Sequence, residues 1–318
     1  MEKMKKTNIF KLLMLCIVML MISRIGFAQV DTSVVATTDT TIAPVANDDE
    51  GKLPVRNPWT GSMIIDNQTT ETPAAGSFEI NIHHRFGHTV DIADLYGIYA
   101  SSNIRLGVTY GITKDIAVGF GTEKDHKMQE FQGKYKILSQ SRNGKIPVSV
   151  TYFGNIVIDA REDKVFGASY KWKNRLSFFN QIIVSRKVTD ALSLQVAGSY
   201  SHFNAVTETT KDAKVDTIGL WKNDYAGVMI GGRYKIHNNL SAIVEYHYPI
   251  NINKPWEGQN EPKSELGIGL EIGTSTHAFQ IFASQYRGII AQENYAHNLN
   301  DMGQTGQWCI GFNITIRF

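Results

Sequence analysis

Trp308-Cys309-Ile310-Gly311-Phe312-Asn313-Ile314-Thr315-Ile316-Arg317-Phe318 is apolar at every second position, from Trp308 through Ile310, Phe312, Ile314 and Ile316 to Phe318. Cys309, Gly311, Asn313, Thr315 and Arg317 fill the places between. A β-strand sends alternate side chains to opposite faces, so this stretch makes a strand with one greasy face and one mostly polar face.

The same period recurs upstream and predicts about twelve strands from residue 77 onward. The first is marked by Phe78, Ile80 and Ile82, the second by Ile104, Leu106, Val108 and Tyr110, and the third by Ile116, Val118 and Phe120. Phe131, Tyr135 and Ile137 mark the fourth. The fifth spans Ile146 to Ile158 and changes phase near Tyr152-Phe153, which predicts a bulge. Leu176, Phe178, Ile182 and Val184 mark the sixth, with Asn180 interrupting. The remaining strands begin near Leu192, Ala226, Leu240, Leu266 and Phe279, and the opening stretch is the last. Met63 to Ile65 reads as a short strand leading in.

Connections alternate in length. Ile112–Asp115, Val188–Ala191, His237–Asn239 and Gly273–Ser275 are tight turns carrying Asn, Asp or Gly. Long polar links lie at about 87–101, 159–174, 204–222, 249–264 and 285–305, with intermediate ones at 122–127 and 139–144. Short turns at one end and long loops at the other is the arrangement of a transmembrane barrel in the outer membrane. The expected fold is therefore all-β: a single antiparallel up-and-down transmembrane barrel with short periplasmic turns and long extracellular loops. An even strand number places both termini in the periplasm.

Residues 1–28 read as a secretory signal, with Lys3, Lys5 and Lys6, the apolar run Leu12–Ile22, and small residues Gly26 and Ala28 before Gln29. Cleavage is expected between Ala28 and Gln29. The formal charge of +2 includes +4 from this segment and becomes −2 without it, which gives no argument for nucleic acid. Residues 29–60 read as a flexible periplasmic tail or linker, and 61–318 as the barrel. Cys16 falls in the signal, so Cys309 is the one cysteine of the expected mature chain and no intramolecular disulfide is expected.

If the apolar set faces lipid, the intervening set faces the lumen. That set holds Glu79, His83, Arg85, Arg105, Lys134, Lys136, Gln195, Arg233, Lys235, Glu245, His247, Glu265, Glu271, Gln280 and Arg317. Charges on the lipid face cost about 2–4 kcal/mol at the midplane, so inward placement follows from solvation alone. Their roles divide between a network of paired charges filling the barrel and a selective pore or ligand pocket. His83 and His84 are adjacent and point to opposite faces, so they do not share a metal. Ser275 and His277 have a hydrolase-like spacing but lie beside a tight turn with no third residue to orient a base. No catalysis, cofactor or metal is expected.

The order of several segments resembles a family of Bacteroidota outer-membrane-type β-barrels, the domain of unknown function 5777 family. The resembling residues are Asn103–Gly107 with the Tyr110–Thr113 turn entry, Ile146–Val150, Arg175–Ser177 leading to Val184–Lys187, Gly231–Lys235, and Gly311–Ile314. The resemblance implies a membrane barrel and assigns no functional residue. Phe318 is then the expected signal for the barrel-assembly machinery, with outer-membrane lipid and a small-molecule ligand as further partners. Three functions stand open: a narrow pore or small-molecule binding and transport barrel, a plugged structural barrel binding a partner through loops or tail, and a soluble secreted protein binding an apolar ligand.

Overall fold

The computed structural model describes residues 52–88, 95, 97–166, 170–205, 223–250, 252 and 261–318. The expected signal, its Ala28–Gln29 cleavage position and most of the expected tail lie outside the described residues. So do large parts of three long loops.

Twelve antiparallel strands close into one barrel. They are β3 (Phe78–His88), β4 (Asn103–Gly111), β5 (Ile116–Glu123), β6 (Met128–Leu138), β7 (Ser149–Asp159) and β8 (Leu176–Lys187). The second half is β9 (Leu192–Phe203), β10 (Asp224–Lys235), β11 (Leu240–Ile250), β12 (Glu265–Gly273), β13 (His277–Ser284) and β14 (Cys309–Arg317). Closure is made by β14 on β3, which pairs Ile316 with Ile80, Ile314 with Ile82 and Arg317 with Glu79. Both ladder edges disappear, which satisfies backbone groups that lipid leaves without partners.

The alternation read from the last stretch holds around the ring. Leu106, Phe120, Phe131, Ile156, Ile182, Val244, Ile268, Leu270 and Ile281 form part of an exposed apolar outer band. An exposed apolar surface on this scale suits lipid, not water. No helix among the described residues is long and apolar enough to span a membrane.

Three expectations for particular stretches change. Strand β7 alternates without a break from Ser149 to Asp159, and the register shift sits on its neighbour β6, between Lys136 and Leu138. The apolar residues that looked out of phase, Phe153 and Val157, face inward because the lumen is apolar there. Met63–Ile65 does not lead into the barrel wall. Met63–Ile64 (β1) and Asn67–Gln68 (β2) form a separate two-stranded hairpin. Of the expected tail, residues 54 and 55 are docked: Pro54 bridges Ser141, and the Val55 amide donates to the Gln140 carbonyl at 2.9 Å.

Candidate functional site

Two pieces of chain occupy the barrel interior. The first is residues 59–72, entering from the short-turn end with the β1–β2 hairpin at its tip. Trp59, Ile64, Ile65, Asp66, Asn67, Thr69 and Thr70 are all buried. The second comes from the connection between β13 and β14, where a single helix, α1 (Ala291–His297), buries Gln292 to Ala296.

The hairpin tip turns through Ile65 and Asp66. Ile65 has φ +47°, a region that a β-branched side chain rarely adopts. Such a residue costs about 1–3 kcal/mol and persists only where its surroundings hold it. The wall supplies that hold. The Ile65 amide donates to Gln280 Oε1 at 3.2 Å, and its carbonyl accepts from Asn313 Nδ2 at 2.7 Å and Arg85 Nη2 at 3.3 Å. Its side chain rests over Gly267, where an added Cβ would come within 3.0 Å of Ile65 Cδ1.

Asp66 forms a fully buried ion pair with Arg85 at 2.5 Å, and its amide donates to Glu245 Oε1 at 3.0 Å. Arg85 also donates to Asn313 Oδ1 at 2.9 Å and lies 4.4 Å from the centre of the Phe282 ring. Down the two legs, Thr60 donates to Glu271 and Ser62 to Glu79. Lys134 Nζ donates to the Ser62 carbonyl at 3.0 Å and to Gln68 Oε1 at 3.1 Å. Lys136 meets Glu71 at 3.3 Å, and Thr70 Oγ1 lies 2.5 Å from Ser185 Oγ. The wall thus grips this insert largely through polar groups that an aqueous lumen would expose.

The helical insert has a different seat. Phe153, Phe179, Ile183, Ala197 and Met229, from β7 to β10, pack around Tyr295. Tyr295 also covers the His247 ring at 3.7 Å between centroids, and Gly227 leaves room for both. The two inserts meet at Tyr295 and Asn67. Tyr295 Oη donates to Asn67 Oδ1 and accepts from Gln181 Nε2 at 2.9 Å.

At the long-loop end, Glu293 is paired with His297 at 2.6 Å and lies 4.0 Å from His126. Burial pushes the Glu293 carboxyl up, but the charge and hydrogen bond of His297, with His126 and Arg161, outweigh it and hold it at about 2. Arg287 pairs with Asp125 at 3.1 Å close by.

Of the residues named from the sequence, Glu79, His83, Arg85, Arg105, Lys134, Glu245, His247 and Glu271 are buried, Lys136, Arg233 and Arg317 are partly buried, and Lys235 is exposed; they do not line one open channel. Glu79, Arg85, Lys134, Lys136, Glu245 and Glu271 contact the hairpin insert. Arg105 is bound to Glu130, with its Nε at 2.9 Å, and Asn155 supports the same carboxylate at 2.6 Å. Arg233 is bound to Glu271 at 2.8 Å. His83 and His247 occupy different settings: His247 lies under Tyr295, while His83 borders a void of about 20 Å³ with Asp66, Arg105 and Glu130. A void that small holds about one water. No group of three or more metal-ligating side chains assembles among the described residues. His277 hydrogen-bonds Thr276 through Nδ1 at 2.8 Å and stacks on Phe279.

Asp66, Trp59, Glu130 and Tyr295 escaped the sequence reading, because they belong to segments without alternation or needed a partner to be recognised. The apolar seat left one signal. Phe178-Phe179 and Ile182-Ile183 put large apolar groups on both faces of β8, which a strand between lipid and water does not need.

The fold has solved likenesses at low sequence identity. The COG4313 outer membrane channel from Pseudomonas putida F1 aligns with a TM-score of 0.50 at 9 % identity, covering 80 % of this chain and 100 % of that one. The NanC porin aligns with a TM-score of 0.43 at 10 % identity, over 76 % and 98 % of the two chains. The KdgM porin gives 0.43 at 9 % identity, over 76 % and 99 %. A search of curated proteins found no match. The profile of one protein family matches residues 59–318, which takes in the hairpin insert together with the whole barrel. The chain belongs to the membrane bound beta barrel domain (DUF5777) family.

Proposed function

We propose that the protein is an outer-membrane passage for small polar solutes, closed in this conformation and opened when the hairpin insert withdraws. The short turns and both termini lie in the periplasm in this reading, so the insert is a periplasmic plug. The observation that carries it is the polar grip on residues 59–72. Arg85, Lys134, Lys136, Glu79, Glu245 and Glu271 hold the insert by hydrogen bonds and ion pairs. Water exchanges readily for such contacts, and charged rings left behind are what an aqueous, selective lumen needs. A purely structural filling has no such requirement, and an apolar core would serve it as well.

The test is conductance in planar bilayers. The full chain is expected to give rare, brief openings. A variant whose residues 59–72 are replaced by a short Gly/Ser linker is expected to conduct steadily, provided its folded band still shifts on boiling. A folded, heat-modifiable variant that stays silent refutes the passage.

A second reading, a permanently plugged barrel that binds a partner through its loops, is favoured by the apolar seat of α1. Phe153, Phe179, Ile183 and Met229 hold Tyr295 by contacts that water does not replace. The two readings differ in whether the hairpin leaves while the helix stays.

A further inference from the structure

The short-turn mouth of the barrel contains a cavity of about 510 Å³. Arg56, Lys187, Arg233, Lys235 and Arg317 line it, against one acidic side chain, Asp190. Three of these cations have partners. Arg233 rests on Glu271 at 2.8 Å, and Arg317 lies 3.6 Å from Glu79 and donates to the Thr60 carbonyl. Lys187 is 3.1 Å from Asp190, but that carboxylate is fully exposed, so the pair is screened by water. Arg56 and Lys235 are exposed and form no ion pair among the described residues. The mouth therefore keeps an excess of positive charge in a concave wall, the shape that focuses anions.

A second observation points to the same place. Trp59 lines this cavity and is 4 % exposed. Its indole Nε1–H has no hydrogen-bond partner among the described residues. An indole nitrogen only donates, and a buried donor without an acceptor costs about 1–3 kcal/mol. The nitrogen is sealed from solvent in this conformation, so an anionic oxygen from the cavity reaches it only as the root of the insert shifts. The volume falls within the range of about 300–1,000 Å³ usual for small-molecule sites, and exceeds what one simple ion fills.

We infer that this cavity is a binding site for a small polyanion, a molecule carrying two or more carboxylate or phosphate groups. Arg56, Lys235 and Lys187 provide the charge that draws it in. Arg233 and Arg317 provide planar guanidinium forks suited to carboxylate and phosphate oxygens. These two arginines also contact Glu271 and Glu79, the carboxylates that receive Thr60 and Ser62 of the insert. A polyanion that engages them competes directly with the root of the plug. The inference goes beyond solute passage: binding is measured without any current, so silence in bilayers and absence of binding are separate results.

The experiment is calorimetric titration of the folded full-length protein in neutral detergent with citrate, tripolyphosphate and, as an uncharged control, maltose. Citrate and tripolyphosphate are expected to bind and to compete with each other, more weakly as salt rises; maltose is expected to give no heat. The relative affinities of the two anions say whether carboxylate or phosphate is preferred. The double variant Arg56→Glu with Lys235→Glu, both on exposed side chains, is expected to weaken binding at least about tenfold. Trp59→Phe keeps an aromatic side chain, removes the Nε1–H donor together with part of the indole, and is expected to weaken binding by about three- to tenfold. The inference is overturned if neither anion binds, or if the heat-modifiable double variant binds both as tightly as the unchanged protein.

Discussion

Asp66→Asn removes the one carboxylate that Arg85 meets at the tip of the insert while leaving the shape of the turn in place. Arg85 is fully buried, so its charge cannot turn to bulk water. Taking one partner from a buried pair costs about 3–5 kcal/mol, because the other charge stays buried. Here Arg85 keeps Asn313 Oδ1 at 2.9 Å, the Ile65 carbonyl at 3.3 Å, the His84 carbonyl at 3.1 Å and the Phe282 ring. The lower end of that range therefore applies. About 3 kcal/mol corresponds to about a hundredfold rise in the population with the hairpin withdrawn. The barrel wall is expected to be unaffected, since its own ladders are intact. Single-channel recording gives the open fraction, and amide hydrogen exchange over residues 59–72 gives the same equilibrium without a membrane. An open fraction and exchange rate within about threefold of the unchanged protein would refute the reasoning, because the ion pair would then not anchor the insert.

Gly267→Ala places a methyl group 3.0 Å from Ile65 Cδ1 and 3.1 Å from Glu245 Cγ, so the strained tip must give way; faster exchange at Ile65 and Asp66 is expected, and unchanged exchange would contradict the fit. Tyr295→Phe leaves Asn67 and Gln181 without the hydroxyl that joins them, and is expected to cost about 1–3 kcal/mol, read as a loss of protection in both inserts at once. A loss of protection confined to one insert would show that they are not coupled there. Glu293, held at about 2, has a folded value below its ordinary 4.5. Its contribution is fully present above pH 4.5 and fades as the pH falls towards 2, by up to about 3 kcal/mol. Exchange protection of α1 is expected to fall across that window, and Glu293→Gln is expected to flatten the profile.

The wall was legible because a lipid-facing strand obeys a strict rule. From Leu106 and Val108 to Ile314 and Ile316 the outward positions are predominantly apolar, and the exception at Asn180 is covered by a hydrogen bond from Tyr152 Oη at 2.5 Å. The lumenal face obeys no such rule, since what it requires depends on what fills it. Phe153 and Phe179 face inward because Tyr295 comes to meet them. From sequence, the phase change near Tyr152-Phe153 read as a bulge, and Phe179 carried no reading. Lys134 and Arg85 could be placed on the inner face by charge alone. Their partners, the Ser62 carbonyl and Asp66, lie more than ten residues away in a segment without period, and only the fold brings them together. The hairpin itself is two residues per strand, too short for alternation to register.

The central claim is that residues 59–72 leave the lumen when the barrel opens. Thr70 Oγ1 and Ser185 Oγ, 2.5 Å apart, mark a place where paired cysteines can tie the insert to β8. The direct measurement is the single-channel current of Thr70→Cys with Ser185→Cys, recorded oxidised and then after adding reductant to the same bilayer. The account predicts a silent oxidised barrel that begins to open on reduction. Openings of equal frequency and size in both states would contradict it.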